Sequence, residues 1–325
     1  MSEVEKTPEK DGEIQWHWVL WTIHLYMLGS YGVYTLLANA MWITVFFAIF
    51  IIFIGGLGIT IGAHRLWAHQ SYEAQWYIKL FLMISHTLAG VGPIHDWVLD
   101  HRVHHKYYGT NKDPFNYNRG FLYSHLIANI KSKPADFEKN SKIIDMRDIE
   151  TDGYVWFQRT FYWPLFIIVG LLLPINAPAE YWGESIGHSV LVLGFFRLLI
   201  LRNMCWLIHS GGHIWALQPH EKFPPDHTLV FLISKSYWHH YHYLLPFDWK
   251  CGEFGSYDQG IATNTLKILH VFGAVSGMKT VSSTNVREAL YKATSKNKSL
   301  SETLEEIKAA AELETVKTKL QYQHH

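Results

Sequence analysis

The chain has 325 residues and balances 28 Lys and Arg against 28 Asp and Glu, so its formal net charge is zero. With no net positive charge, nothing points to nucleic acid as a partner. Charged residues are only 17% of the chain and hydrophobic residues 49%, a charge fraction below the ~25% of soluble domains. The two cysteines, Cys205 and Cys251, form neither a disulfide framework nor a metal motif.

The opening, MSEVEKTPEKDGE, is polar and lacks the apolar core of a signal peptide. No cleaved leader is expected. A spanning helix needs about 20 mostly apolar residues, and four runs qualify: 16–37, 41–61, 161–175 and 186–208. The third is short and stops at Pro174, so a soluble core helix is its alternative. The fourth carries Arg197 and Arg202, whose half of the run should face protein or headgroups. Between the second and third runs, 75–91 reads as an amphipathic interfacial helix and 131–153 as surface loop with short helices. Residues 261–275 read as another amphipathic helix. The tail from Ser299 opens on a capping box, Ser299 to Glu302, and reads as a solvated helix. The expected organisation is a polar tail over 1–15, a membrane domain with a cytosolic cap over 16–281, and a charged tail over 282–325.

Lys and Arg are missing between residues 11 and 64 and between 160 and 196, and are frequent from Arg65 to Arg159. The positive-inside rule therefore puts both termini and the long central segment in the cytosol.

Eight histidines fall into three boxes just outside the apolar runs: His64 and His69 in HRLWAH, His101, His104 and His105 in HRVHH, and His239, His240 and His242 in HHYHY. A fourth piece, HSGGH, holds His209 and His213. Imidazole is the commonest side-chain metal ligand and suits iron, zinc and copper. The second box stands at i, i+3 and i+4, which is one helical face. His209 and His213 are i, i+4, and His239 and His242 are i, i+3. His64 and His69 are i, i+5 and point apart on a regular helix. They share a site only if a helix ends near His64 and the chain turns before His69. An even number of spans separates the boxes, so topology delivers all of them to the cytosolic face. So many imidazoles exceed one ion's needs and suggest two. The scattered histidines, among them His17, His24, His86 and His270, read as structural or surface residues.

GAHRLWAHQSYEA, DWVLDHRVHHKYYGTNKDPFNYNRGFLYSH, IDMRDIETDGYVWFQRTFYWPL and PFDWKCGEFGSYDQGIATNTL together resemble the signature stretches of the membrane-bound acyl-CoA desaturases, stearoyl-CoA desaturase type. The likeness covers residues 25–281. It implies an all-α integral membrane protein: four transmembrane helices under a cytosolic helical cap that holds a histidine-rich di-metal site. It further implies two iron ions, with zinc as an adventitious occupant, in the endoplasmic reticulum membrane. The implied reaction takes O2 and two electrons, delivered by cytochrome b5 from an NADH-dependent reductase, and makes a cis double bond in a saturated acyl-CoA. Δ9 in C16–C18 chains is the expected position. An unactivated methylene demands a metal-borne oxidant, while the protein supplies ligands and orientation.

The resemblance carries over His64, His69, His101, His104, His105, His213, His239 and His242 as ligands. Several positions depart from it. His209 replaces an Asn and is expected to bind metal directly, one turn from His213. Tyr243 replaces a His at i+4 from His239, so it is expected near the metal without necessarily coordinating it. Lys235, Ser236 and Tyr237 replace a Gly-Glu-Gly stretch, Leu99 replaces an Arg, and Phe115 replaces a His. Asp100 is expected beside the ligands, and Asp96, Asp113 and Asp248 are candidates to hold imidazole N–H groups.

Ala48 and Ile52 lie roughly 18–24 Å along the helix from His64 at 1.5 Å per residue. With Trp97 and Trp206 they are the expected acyl tunnel. Arg102, Lys106, Arg119 and Lys131 are the expected contacts of the CoA headgroup. Alternatives are a non-catalytic relative that still binds acyl-CoA, and another histidine-box membrane oxygenase such as a hydroxylase or sterol oxidase. A metal transporter fits less well, since its ligands should lie near the bilayer midplane.

Overall fold

The structure, a computed structural model, describes residues 12–215, 242–243 and 245–281. The expectations for both termini, for His239, and for the Lys235–Tyr237 departure lie outside those residues.

The described elements are helices and one two-stranded antiparallel ribbon. The helices are α1 (Trp16–Ala38), α2 (Trp42–Ala68), α3 (Trp76–Ala89), α4 (Ile94–Tyr107), the short α5 (Phe121–His125), α6 (Phe137–Ser141), α7 (Arg147–Glu150) and α8 (Gly153–Thr160), then α9 (Tyr162–Trp182), α10 (Ile186–Ser210), α11 (Gly212–Trp215) and α12 (Ile261–Val271). Among the described residues three helices, α2, α9 and α10, are long and apolar enough to cross a membrane. The pair α3 and α4 would make a fourth crossing only as a span bent by 85°. The chain divides into two compact units, one of residues 1–59 with 81–210 and one of 60–80 with 211–325.

In the first unit, α1 spans 23 residues but falls outside that hydropathy class. Its outward stripe, Trp16, Leu20, Ile23, Met27, Tyr31 and Tyr34, is exposed and apolar. Its inner face packs Leu25 on Leu198 and Leu199 of α10. Gly32 allows the approach: a Cβ there would lie 2.4 Å from the Leu191 carbonyl oxygen.

The third apolar run is longer than its sequence suggests. The helix continues past Pro174 to Trp182. Residues Phe166–Leu172 are π-helical, and Pro174 falls in the first turn of the regular helix that follows. The Gly170 carbonyl, four residues before Pro174, takes its hydrogen bond from Arg197 instead, so the missing N–H leaves it satisfied. Arg197, fully buried in α10, donates to the carbonyls of Leu193, Leu88 and Gly170, so it faces protein.

The break between α3 and α4 is coded by Gly90 (φ +69°), Gly92 (φ +105°) and Pro93, the N-cap of α4. Glycine reaches those angles without strain. The Gly92 amide donates to Tyr162 Oη at 2.9 Å and the Ile94 amide to Gln158 Oε1 at 3.0 Å. The turn is thus fixed just before the second histidine box.

Residues Gly58–Ala68 close α2 as a π-helix, all but its first two residues in the second unit. Gln70 (φ +50°) turns the chain into β1 (Glu73–Ala74), which pairs antiparallel with β2 (Val275–Ser276) in the register Glu73↔Ser276. The Lys279 amide donates to the Ser71 carbonyl at 2.9 Å, which ties the turn to the C-terminal segment of the unit.

Candidate metal centre and active site

His64 and His69 come together, but not by the route expected. The helix does not end at His64. It widens, and the His69 amide donates to the His64 carbonyl at 3.1 Å, an i→i+5 bond. A π-turn closes on i+5, so the two rings meet edge to face on one side with centroids 4.7 Å apart. His242 joins them at 5.0 Å from each. The three offer one ring nitrogen each, all within 4.8 Å of one another.

A buried carboxylate orients this trio. Glu253 Oε1 lies 3.1 Å from His64 Nδ1 and accepts from Arg65 Nε at 2.6 Å, while Glu253 Oε2 accepts from Arg65 Nη2 at 2.9 Å. Arg65 also donates to the Trp249 carbonyl and to Thr263 Oγ1. Burial pushes the Glu253 carboxyl up, but Arg65's charge and the hydrogen bonds from His64 and Arg65 outweigh it and hold the group well below the carboxylate range. With Nδ1 engaged by Glu253, His64 turns Nε2 inward, 3.3 Å from His242 Nε2. Tyr72 Oη donates to the Ile61 carbonyl at 2.6 Å and braces the π-helix. Glu253 and Tyr72 have no spacing signal that would have marked them in the sequence.

The first unit holds a second histidine group. α4 presents His101, His104 and His105 as its i, i+3, i+4 geometry dictates, and α10 brings His209 to them. His101 Nδ1 lies 3.1 Å from His209 Nε2, and the His104 and His209 centroids are 5.2 Å apart. His104, wholly buried, pairs through Nδ1 with Asp113 Oδ1 at 2.7 Å. That contact turns the opposite ring nitrogen of His104 away from the carboxylate. Of the remaining acids, Asp100 pairs with Lys133, Asp96 with His95 and Arg159, and Asp248 accepts from Tyr257 Oη. His213 lies half-buried in α11, and Tyr243 follows His242 with its ring 5.8 Å from that imidazole.

Both groups fit a metal. Two nitrogens each bound at about 2.1 Å to a shared ion stand roughly 3.0–3.4 Å apart. The His101–His209 and His64–His242 separations fall in that range. Neutral imidazole is the right donor, and each group holds one ring by a carboxylate.

A cavity of about 670 Å³ lies within the first unit, with His209, Trp97, Trp206, Cys205, Tyr162 and Phe166 among its walls. Trp97 Nε1 donates to Cys205 Sγ at 3.0 Å. Of the four expected tunnel residues, Trp97 and Trp206 line this cavity. Ala48 is packed against Val192 and Leu193 instead, and Ile52 is half-buried on the same helix. Among the expected headgroup contacts, Arg119 and Lys131 flank the Tyr123 ring at 3.7 and 5.7 Å. Arg102 is bidentate to Asp148, at 2.8 and 2.7 Å, and Lys106 is exposed on α4.

No protein-family model matches the chain. Curated proteins do. It is 38% identical over 272 residues to an acyl-CoA Delta-9 desaturase of Acheta domesticus, covering 83% of this chain and 76% of that protein. It is 35% identical, with the same coverage, to an acyl-CoA Delta12-desaturase of the same species. It is 35% identical over 252 residues to human stearoyl-CoA desaturase, covering 76% of this chain and 69% of that one. A histidine cluster able to hold a metal ion, apolar helices of membrane-spanning length and this extent of identity converge: the chain belongs to the acyl-CoA desaturase family.

Proposed function

We propose that this chain is an active fatty acyl-CoA desaturase of the endoplasmic reticulum membrane that introduces a cis double bond at Δ9 into C16–C18 saturated acyl-CoA. Two iron ions are its cofactor. His64, His69 and His242, with His239, hold one, and His101, His104, His105 and His209 hold the other. O2 is the oxidant, and cytochrome b5 with its NADH-dependent reductase is the electron source. Bound iron supplies the oxidising power that an unactivated methylene requires.

The observation that carries this reading is the pair of imidazole groups at ligand spacing, each with a ring held by a buried carboxylate. Asp113 and Glu253 select the tautomer and rotation of His104 and His64. The cavity that His209 borders is mostly apolar, with Trp18, Trp21, Trp97, Trp163 and Trp206 in its walls, which suits an acyl chain. Arg119 and Lys131 meet the CoA phosphates, with Lys106 and Arg102 nearby in the sequence. We further propose α1 as the fourth span, beside α2, α9 and α10, because its exposed stripe is apolar along its length. With charge set by the positive-inside rule, both termini are then cytosolic and residues 16–281 form the membrane domain and cap.

Expression in a desaturase-deficient yeast, with double bonds located by mass spectrometry, tests the proposal. Restored growth with a Δ9 product is expected. A correctly inserted, iron-loaded protein that yields no unsaturated product overturns it. Tyr243, where the family pattern has a ligand, favours a second reading: a relative that binds acyl-CoA without turnover. Retained acyl-CoA binding with less than two metal ions per chain would mark that case.

A further inference from the structure

Two of the departures from the family pattern touch each other. Phe115 stands where a His is expected and His209 where an Asn is expected. Their rings stack with centroids 3.7 Å apart and 13° between planes. Both residues are buried, at 5% and 3% exposure. The Phe115 amide donates to Asp113 Oδ1 at 2.9 Å, and the same oxygen takes His104 Nδ1 at 2.7 Å. One short turn, Asp113-Pro114-Phe115, therefore reaches two imidazoles: His104 through a carboxylate and His209 through an aromatic face. Pro114 fixes the φ of the turn between those two arms.

The chemistry of the stack is specific. A ring packed face to face leaves the imidazole edge, which carries both nitrogens, open to other partners. It also restricts rotation about the last side-chain torsion, which is otherwise broad. His209 Nε2 is thereby kept 3.1 Å from His101 Nδ1. A leucine could fill the same volume but would present no flat face.

We propose that Phe115 is a positioning residue for His209, and that the Asp113–Phe115 turn is a bracket setting two imidazoles of one metal ion together. The exchange of Phe for His at position 115 and of His for Asn at 209 is then one coupled change: an imidazole is lost from the turn and regained from α10. This inference rests on the reading of His209 as a ligand.

The test is Co2+ titration of the full-length, metal-stripped protein in detergent, followed by visible absorption, for Phe115→Leu, Phe115→Tyr, Phe115→Met and His209→Ala. Partners that orient a ligand typically alter affinity ~10–100-fold. Phe115→Leu should weaken binding of one Co2+ equivalent by about that factor and change its ligand-field spectrum, while Phe115→Tyr should retain affinity and spectrum. Phe115→Met serves as the flat-face deletion if the leucine variant is not monodisperse. Parental affinity and spectrum in Phe115→Leu or Phe115→Met overturn the inference, as does equal damage from Phe115→Tyr. His209→Ala separates the two levels. If it binds Co2+ as the parent does, the ligand reading fails and the bracket with it. If it loses one equivalent while the leucine and methionine variants do not, only the positioning role fails.

Discussion

The amide of His69 donates to the carbonyl of His64 at 3.1 Å, five residues back along the chain. On a regular α-helix those side chains would point about 140° apart at 100° per residue. The π-turn removes that divergence and makes a ligand pair from a spacing that otherwise forbids one. π-stretches are rare and concentrate at functional sites, and this one is braced by Tyr72 on the Ile61 carbonyl.

Tyr72→Phe should therefore act on the metal site without touching a ligand. Removing the hydroxyl forfeits one buried hydrogen bond, about 1 kcal/mol. The expected result is a small drop in Tm together with a measurable fall in metal retained after dialysis against chelator. An unchanged metal content would show that the π-turn holds its shape without the brace.

Glu253 sets the pH behaviour of the second unit. Its folded-state pKa is depressed below the ordinary 4.5, by Arg65 and His64 acting against burial. A depressed carboxyl contributes stability that is fully present above about pH 4.5 and is lost as pH falls toward the folded pKa. Glu253→Gln leaves Arg65 buried beside a neutral amide, a change that costs about 3–5 kcal/mol for a broken buried pair. The Tm gap between parent and Glu253→Gln should be wide and flat from pH 7 to 5 and should close below 4.5. A gap that widens on acidification would reverse the assignment.

What the sequence discloses follows from where each signal resides. The second box is legible because i, i+3, i+4 is a local geometry, and α4 presents those imidazoles on one face. The His209–His213 spacing is legible for the same reason. The π-turn is not, because widening one turn inside an apolar run leaves composition unchanged. The end of α9 is misread because Pro174 ordinarily stops a helix, whereas here Arg197, 27 residues beyond Gly170, satisfies the Gly170 carbonyl that the proline leaves free. Glu253 lies 189 residues beyond His64, and no local pattern points across such a distance. The Phe115–His209 stack is hidden in the same way: each residue is visible as a departure, but not as the other's neighbour.

The cavity and the expected tunnel residues make opposite claims on two side chains. Trp206 lines the cavity, so Trp206→Ala should lengthen the acyl chain accepted, at a cost of about 3–5 kcal/mol in stability. Ala48 is fully buried against Val192 and Leu193. Ala48→Tyr should overpack that contact by about 1–3 kcal/mol. Product chain-length profiles with Tm for both variants decide the matter. A shortened profile in Ala48→Tyr at parental Tm would restore Ala48 to the tunnel wall, and an unchanged profile in Trp206→Ala would remove Trp206 from it.

The basic residues expected at the CoA end separate by their partners. Arg102 is bidentate to Asp148 and also donates to the Asp145 carbonyl at 2.7 Å, which fastens α4 to α7 one residue after His101. Arg119 and Lys131 instead share the Tyr123 ring, where a planar guanidinium and an ammonium can both meet phosphate. Arg119→Gln should raise KM for acyl-CoA several-fold, more steeply at low salt, and leave kcat and metal content at parental values. Arg102→Gln should lower Tm and metal content, because the second histidine box loses its outer anchor. Steady-state kinetics at two ionic strengths, run beside elemental analysis, read both effects. If Arg119→Gln leaves KM unchanged while Arg102→Gln raises it at full metal occupancy, the headgroup lies over Arg102 and the Asp148 pair opens to receive it.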